Sequence, residues 1–200
     1  MTSTSEVSPG TVVILGTGGT IAGASPVAGD NVGYTAGQRS VADLLAAVPA
    51  LAGWPIEARQ VAQLDSKDMD AATWQPLARA VAQALDRPEV QGVVITHGTD
   101  TLEETAWLLQ QVLAPAKPVV LAAAMRPATA LAADGPQNLL DAVTLARQAA
   151  WPGLQAMLGA RVYGAVDGLF ALSPAVTARL IAENPSLALR VFPYPFLMDW

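Results

Sequence analysis

"TVVILGTGGTIAG", Thr11 to Gly23, runs four apolar residues straight into a glycine-rich turn that holds two threonines. Val12, Val13, Ile14 and Leu15 leave no polar position between them, so both faces of this segment call for burial. That is the pattern of a strand inside a parallel sheet. The turn fits neither standard phosphate cradle. Gly16 and Gly18 match the start of G-x-G-x-x-G, but the third position is Ile21. Gly18 and Gly23 have the P-loop gap, yet Ala24 follows where a lysine is needed. Thr20 is then a hydroxyl set among backbone N–H groups at a strand end.

The same alternation continues along the chain. Strand patterns are "PIEARQVAQL" (Pro55 to Leu64), "VQGVVIT" (Val90 to Thr96), "KPVVLAAA" and "GLQAMLG". Helical patterns lie between them. Ser40 is placed to cap the first, which Pro49 stops, and "AATWQPLARAVAQALDRP" ends at Pro88. "TLEETAWLLQQVL" opens with the capping-box spacing Thr101-x-x-Glu104, and "GPQNLLDAVTLARQAA" has Pro136 in its first turn and Asp134 as its expected cap. Repeated βα units predict an α/β fold with a mostly parallel sheet flanked by helices. Ligands of such sheets sit beyond the carboxyl ends of the strands. The unusual loops "LGTGGT", "LDSKDM", "THGTDT" and "AAMRPA" all follow strands. The irregular stretch Ala22 to Gln38 reads as a lid or as a disordered loop.

Composition narrows the chemistry. At 52% hydrophobic and 14% charged residues, the 200-residue chain has enough apolar material for a sizeable core. A formal charge of −6 argues against nucleic-acid or anionic-membrane partners. Without cysteine there is no thiolate nucleophile or Cys-bound metal, and one histidine, His97, makes no His-rich metal site. Asp65, Asp68 and Asp70 read as a solvated or turn-forming cluster, since the spacing lacks the glycine and distal glutamate of a calcium loop. The five tryptophans read as core or interface residues. No apolar run reaches transmembrane length, and the start of the chain lacks the basic residues of a secretory signal, so a cytoplasmic protein is expected.

"ITHGTDTLEETA" (Ile95 to Ala106) adds the second unusual loop. Thr99 and Asp100 stand between a buried strand and a helix, a hydroxyl beside a carboxylate suited to an ammonium group. Backbone N–H groups of this turn and of "TGGT" are placed to receive an oxyanion. Taken together, "TGGTIAG", "HGTDTLEETA", "DSKDM" and "AAMRPATALAADGPQNLLDAV" resemble the bacterial-type L-asparaginase and glutaminase-asparaginase family, over roughly Thr11 to Gly164.

That resemblance implies a Rossmann-like three-layer N-terminal domain over residues 11–165; the polar residues 1–10 before it are expected to be a disordered tail. It implies hydrolysis of L-asparagine to L-aspartate and ammonia, with glutamine as a related substrate. Thr20 matches the nucleophile and Tyr34 the lid tyrosine that activates it. Thr99 and Asp100 match the second threonine and the aspartate that holds the substrate ammonium. Gly19, Ser66, Lys67 and Ala124 match substrate-binding positions, Ser66 for the α-carboxylate and the Ala124 carbonyl for the side-chain amide. Lys67 stands where relatives often carry glutamine or another polar residue. The resemblance implies no metal and no cofactor, and a homo-oligomer as the working form.

Two departures accompany the match. The lysine that partners the second threonine is expected near Leu169, and the chain has only Lys67 and Lys117. Beyond Ala165 the pattern is lost, leaving an atypical tail at 166–200 apart from one helical stretch opened by Ser173, and no room before Trp200 for the smaller C-terminal domain of full-length members. A frameshifted or truncated end is one expectation from this. The alternative function is an inactive remnant or a non-catalytic domain that binds a small amino acid.

Overall fold

The computed structural model describes residues 10–164 apart from Ala28, Asn31, Trp151 and Ala160. The expected N-terminal tail, the stretch 166–200 with its Ser173 helix, the lysine position near Leu169, Trp151 and Trp200 lie outside the described residues.

Six strands form one sheet: β1 (Thr11–Gly18), β2 (Ile56–Leu64), β3 (Val90–Thr96), β4 (Pro118–Ala122), β5 (Gly153–Leu158) and β6 (Arg161–Gly164). Their order is β2-β1-β3-β4-β5-β6, and all neighbours are parallel except β5 and β6. The mostly parallel α/β reading holds. The antiparallel β6 was not expected from the sequence, because four residues after the Gly159 turn are too few to show a period.

Among the described residues, four α-helices cover the sheet: α1 (Val41–Ala46), α2 (Ala71–Leu85), α3 (Leu102–Leu113) and α4 (Gly135–Ala146). Side chains alternate across each strand. Val12, Ile14, Val94, Val120 and Ala122 form one buried cluster with Leu44 of α1 and with Leu139, Ala142 and Val143 of α4. The alternate residues Val13, Leu15, Val93, Ile95, Val119 and Leu121 are buried on the opposite face, where α2 and α3 bring Leu77, Val81 and Leu109. The result is three layers.

Two details aim the chain at one edge. The connection after β1 leads toward β2, while the one after β3 leads the other way, to β4, so the switch point of the sheet lies between β1 and β3 at their carboxyl ends. The β1–β2 register also slips between Gly16 and Gly18, from Gly16 opposite Gln60 to Gly18 opposite Leu64. Gln60 holds that irregularity. Its amide donates to the Ala62 carbonyl at 2.6 Å and accepts from the Val41 N–H at 2.9 Å. The slip carries Leu64, Asp65 and Ser66 alongside the glycine turn.

Helix ends follow their expected chemistry at α1 and depart from it at α3 and α4. Ser40 and Asp43 form a reciprocal capping box, and α1 stops at Ala46, before Pro49. Asp70 caps α2 through the Thr73 N–H at 2.9 Å, and Asp65 caps the short turn Ser66–Asp68, so two of the three clustered aspartates form turns. Thr101 precedes α3 but makes no capping bond. Asp134 likewise makes no side-chain cap for α4. Both side chains are engaged at the site described next.

Candidate active site

The glycine turn is defined by contact. Gly19 has φ +77°, a left-handed conformation that disfavours a side chain, and a Cβ there would collide with the Gly98 backbone. Its N–H donates to the Leu64 carbonyl at 2.9 Å. A Cβ on Gly98 would in turn collide with the Ser66 side chain. The β1 and β3 loops therefore meet backbone to backbone, with the Ser66 side chain of the β2 loop against Gly98, a closeness that only glycines at these positions permit.

Thr20 opens a single 3-10 turn, Thr20–Ala22, and its Oγ1 lies 3.0 Å from Tyr34 Oη. The segment that brings Tyr34 there is laced to the turn. Ala24 and Thr35 exchange two backbone hydrogen bonds at 3.0 Å, the Gly37 N–H donates to the Gly19 carbonyl at 3.1 Å, and the Arg39 N–H donates to the Ala22 carbonyl at 2.8 Å. The Tyr34 ring rests on Gly23, where a Cβ would stand 2.7 Å from the ring.

The β3 loop is tied to the β2 loop through Ser66, which is buried. Ser66 Oγ accepts from the Asp100 N–H at 3.1 Å, and Thr101 Oγ1 donates to the Ser66 carbonyl at 2.8 Å. This contact is what draws Thr101 away from capping. Thr99 is half-buried, and no side-chain hydrogen bond joins it to a lysine among the described residues. Lys67 Nζ is 2.6 Å from Asp65 Oδ2. Lys117 Nζ donates to the Leu85 and Arg87 carbonyls, closing the end of α2 at the other edge of the sheet.

Charge is unevenly distributed here. The hydrogen bond from Lys67 holds the Asp65 carboxyl below the ordinary range. Desolvation, and then the neighbouring Asp65 carboxylate, push Asp100 upward, with Lys67 opposing. Glu103, in the first turn of α3, is buried and raised to about 7, chiefly by desolvation and further by Glu104 and Asp100. An added cation between Asp65 and Asp100 would relieve that repulsion.

The β4 loop completes the ring. Ala124 is fully buried, and Gly135 brings it near Ile21, the neighbour of Thr20. The Ala128 N–H donates to the Gly23 carbonyl at 2.9 Å. Asp134 accepts from the N–H groups of Met125 and Arg126, both at 2.9 Å, so it shapes this loop.

Thr20 and Tyr34 are thus in direct contact, Gly19 touches the Thr99 loop through Gly98, Ser66 is bonded to Asp100, and Lys67 reaches Asp65. Two features escaped the sequence reading. Asp65 stands beside Asp100, and His97 is wired to Thr105 and Trp74. His97 is fully buried, with Nδ1 2.7 Å from the Gly98 carbonyl and Nε2 3.0 Å from Thr105 Oγ1, which accepts from Trp74 Nε1 at 2.9 Å. The spacing His97 to Thr105, from the end of β3 across the loop to the first turn of α3, was the available signal. Among the described tryptophans none is fully buried, and Trp54 carries Arg147 over its ring at 4.6 Å.

Residues 11–169 match the family model described as asparaginase, N-terminal. The glutaminase-asparaginase of Pseudomonas aeruginosa is 47% identical over 136 residues, covering 68% of this chain and 38% of the relative. The probable periplasmic L-asparaginase of Haemophilus influenzae is 44% identical over 160 residues, 78% of this chain and 45% of the relative. A solved structure, the probable cytoplasmic L-asparaginase of Campylobacter jejuni, superposes with a TM-score of 0.75 at 40% identity, covering 79% of this chain and 49% of that one. The chain spans less than half the length of the curated relatives it matches. No helix among the described residues is long and apolar enough to cross a membrane.

Proposed function

The chain belongs to the asparaginase family through its N-terminal domain, and from that membership we propose that it is an L-asparaginase-type amidohydrolase that uses Thr20 as nucleophile. The observation that carries this reading is the 3.0 Å pair of Thr20 Oγ1 and Tyr34 Oη at the switch point of the sheet. A threonine hydroxyl is a weak nucleophile until a neighbour accepts its proton. Tyr34 is the neighbour in reach.

In this mechanism Thr20 Oγ bonds to the side-chain amide carbon of L-asparagine as its proton moves to Tyr34 Oη and the phenol passes its own proton on to the amide nitrogen, so Tyr34 acts as a relay. The tetrahedral oxygen is met by backbone N–H groups. Among the described residues no protein group accepts from the Thr20 or Thr99 N–H. The C–N bond then breaks, the nitrogen leaves with that proton as ammonia, and water cleaves the Thr20 ester to release L-aspartate. Asp100 holds the substrate ammonium. Ser66 uses an oxygen lone pair on the Asp100 N–H, so its own proton is left to donate to the α-carboxylate. Gly19 and Lys67 line the same end, and the Ala124 carbonyl receives the amide N–H. Relatives named glutaminase-asparaginases suggest L-glutamine as a second substrate.

One observation favours a second reading, a domain that binds a small amino acid without turnover. Thr99 has no lysine partner among the described residues, and the only lysines of the chain are committed to Asp65 and to the end of α2. Ammonia release from L-asparagine by the purified 200-residue chain separates the two. Turnover that falls at least 100-fold in Thr20→Ala is the expected result. Undiminished turnover by that variant overturns the nucleophile. L-Aspartate raising the melting temperature with no ammonia released favours the binder.

A further inference from the structure

We infer that His97 is a positioning residue which, by gripping the Gly98 carbonyl from inside the fold, turns the Thr99 N–H outward to the site. The inference rests on the amidohydrolase reading only for what that N–H then does.

Every proton in the chain behind Gly98 has a single place. A carbonyl oxygen only accepts, so His97 Nδ1 carries the proton that meets Gly98 at 2.7 Å. Nε2 of the neutral ring is then an acceptor, 3.0 Å from Thr105 Oγ1. Thr105 donates there because an unprotonated Nε2 can only accept, and its oxygen meanwhile accepts the indole N–H of Trp74, which only donates, at 2.9 Å. Three elements thus specify one tautomer: α2 through Trp74, α3 through Thr105 and the end of β3 through His97. Burial keeps water from offering the ring another partner. It also holds the imidazole neutral, with a pKa lowered to about 4.

The consequence for the site follows from peptide geometry. In a trans peptide the C=O and the next N–H point in opposite directions. The Gly98 carbonyl points inward to His97, so the Thr99 N–H points outward. No protein group among the described residues accepts from it. A donor fixed in this way needs no reorganisation when negative charge develops beside it. Ordinary solvent-exposed turns lack such a brace, because either peptide orientation satisfies water.

The chain has a single histidine, so it is its own reporter. The test is NMR on the full 200-residue protein labelled with 15N-histidine and 15N-threonine. At pH 7 the Nδ1–H tautomer is expected. Thr105→Val should mix the tautomers, move the Thr99 amide resonance and speed its solvent exchange at least tenfold, while Thr105→Ser should restore all three. An Nε2–H tautomer in the wild type, or a Thr99 amide unmoved in Thr105→Val, overturns the inference. If Thr105→Val does not fold, Trp74→Phe serves in its place, with a smaller shift of the Thr99 amide expected and an unmoved amide again overturning. Where ammonia is released, Thr105→Val should lower kcat at least tenfold with KM within twofold, a split that general unfolding would not give. If the wild type neither releases ammonia nor binds L-aspartate, the amidohydrolase reading falls, and the tautomer and the Thr99 amide still decide this one.

Discussion

Ser66 Oγ accepts from the Asp100 N–H at 3.1 Å, which joins two loops that lie 34 residues apart in the chain. Under the proposed function these two residues hold opposite ends of one ligand, the α-carboxylate and the ammonium. Ser66→Ala should therefore do two things at once. It removes a carboxylate donor and leaves the Asp100 N–H without its acceptor, at a stability cost of about 1–2 kcal/mol. Calorimetry should show L-aspartate affinity reduced at least tenfold with a modest fall in Tm. Unchanged affinity would remove Ser66 from the site.

Gly23 offers a way to move Tyr34 without touching it. Its φ of −74° and ψ of 145° suit any residue, so Gly23→Ala forces no unusual dihedral, although the new Cβ would also stand 2.9 Å from the Thr20 carbonyl oxygen. The new Cβ would stand 2.7 Å from the Tyr34 ring and press it away from Thr20. Ammonia release should fall about 10- to 100-fold, since one part of a proton-transfer pair is lost, and Tm should fall by about 2–4 °C as the Thr20 carbonyl gives way with the ring. Full activity in Gly23→Ala would mean that the Tyr34 contact is not used.

Gly19 gives the opposite outcome. A side chain there meets both a left-handed backbone and the Gly98 main chain. Gly19→Ala should destabilise the domain by about 2–4 kcal/mol, combining strain with displacement of a packed loop. Urea unfolding measures this. A change below about 0.5 kcal/mol would show that the two loops do not touch in solution.

Two buried groups give opposite dependences on pH. His97 has its pKa lowered to about 4 from 6.5, so between those values the unfolded chain binds a proton that the folded chain refuses, and stability falls as pH falls. Glu103 is raised to about 7 from 4.5, so the folded chain keeps a proton that the unfolded chain releases, and stability falls as pH rises through that window. The two slopes oppose each other over pH 5–6.5, and Tm of the wild type should be nearly flat there. Glu103→Gln removes one slope. Its Tm should fall by about 4 °C on acidification from pH 6.5 to 5, following the His97 linkage alone. A flat profile in Glu103→Gln would mean that His97 is not held neutral.

The sequence made the strands and the four strand-end loops legible because consecutive apolar residues and glycines carry a local signal. Val12 to Leu15 and Val90 to Thr96 are strands in the structure, and the loops they feed converge. What was not legible depends on partners far along the chain. Thr101 has the spacing of a helix cap, yet its hydroxyl goes to the Ser66 carbonyl 35 residues away. Asp134 has the place of a cap and instead shapes the turn at Met125 and Arg126. His97 reads locally as a turn residue, and only the packing of α2 and α3 gives it Thr105 and Trp74. Local chemistry named the groups, and tertiary contact chose between their uses.

The Ala24–Thr35 bridge has a consequence for protein engineering. Tyr34 sits at the root of the loop, next to the bridge, and not at its tip, where Val27 is 62% and Val32 90% exposed. The root is stitched to the main body by backbone bonds that no side-chain change at the tip removes. The outer stretch around Val32 is therefore a graft point, where a peptide tag or a dye can be spliced while the Thr20–Tyr34 pair keeps its spacing.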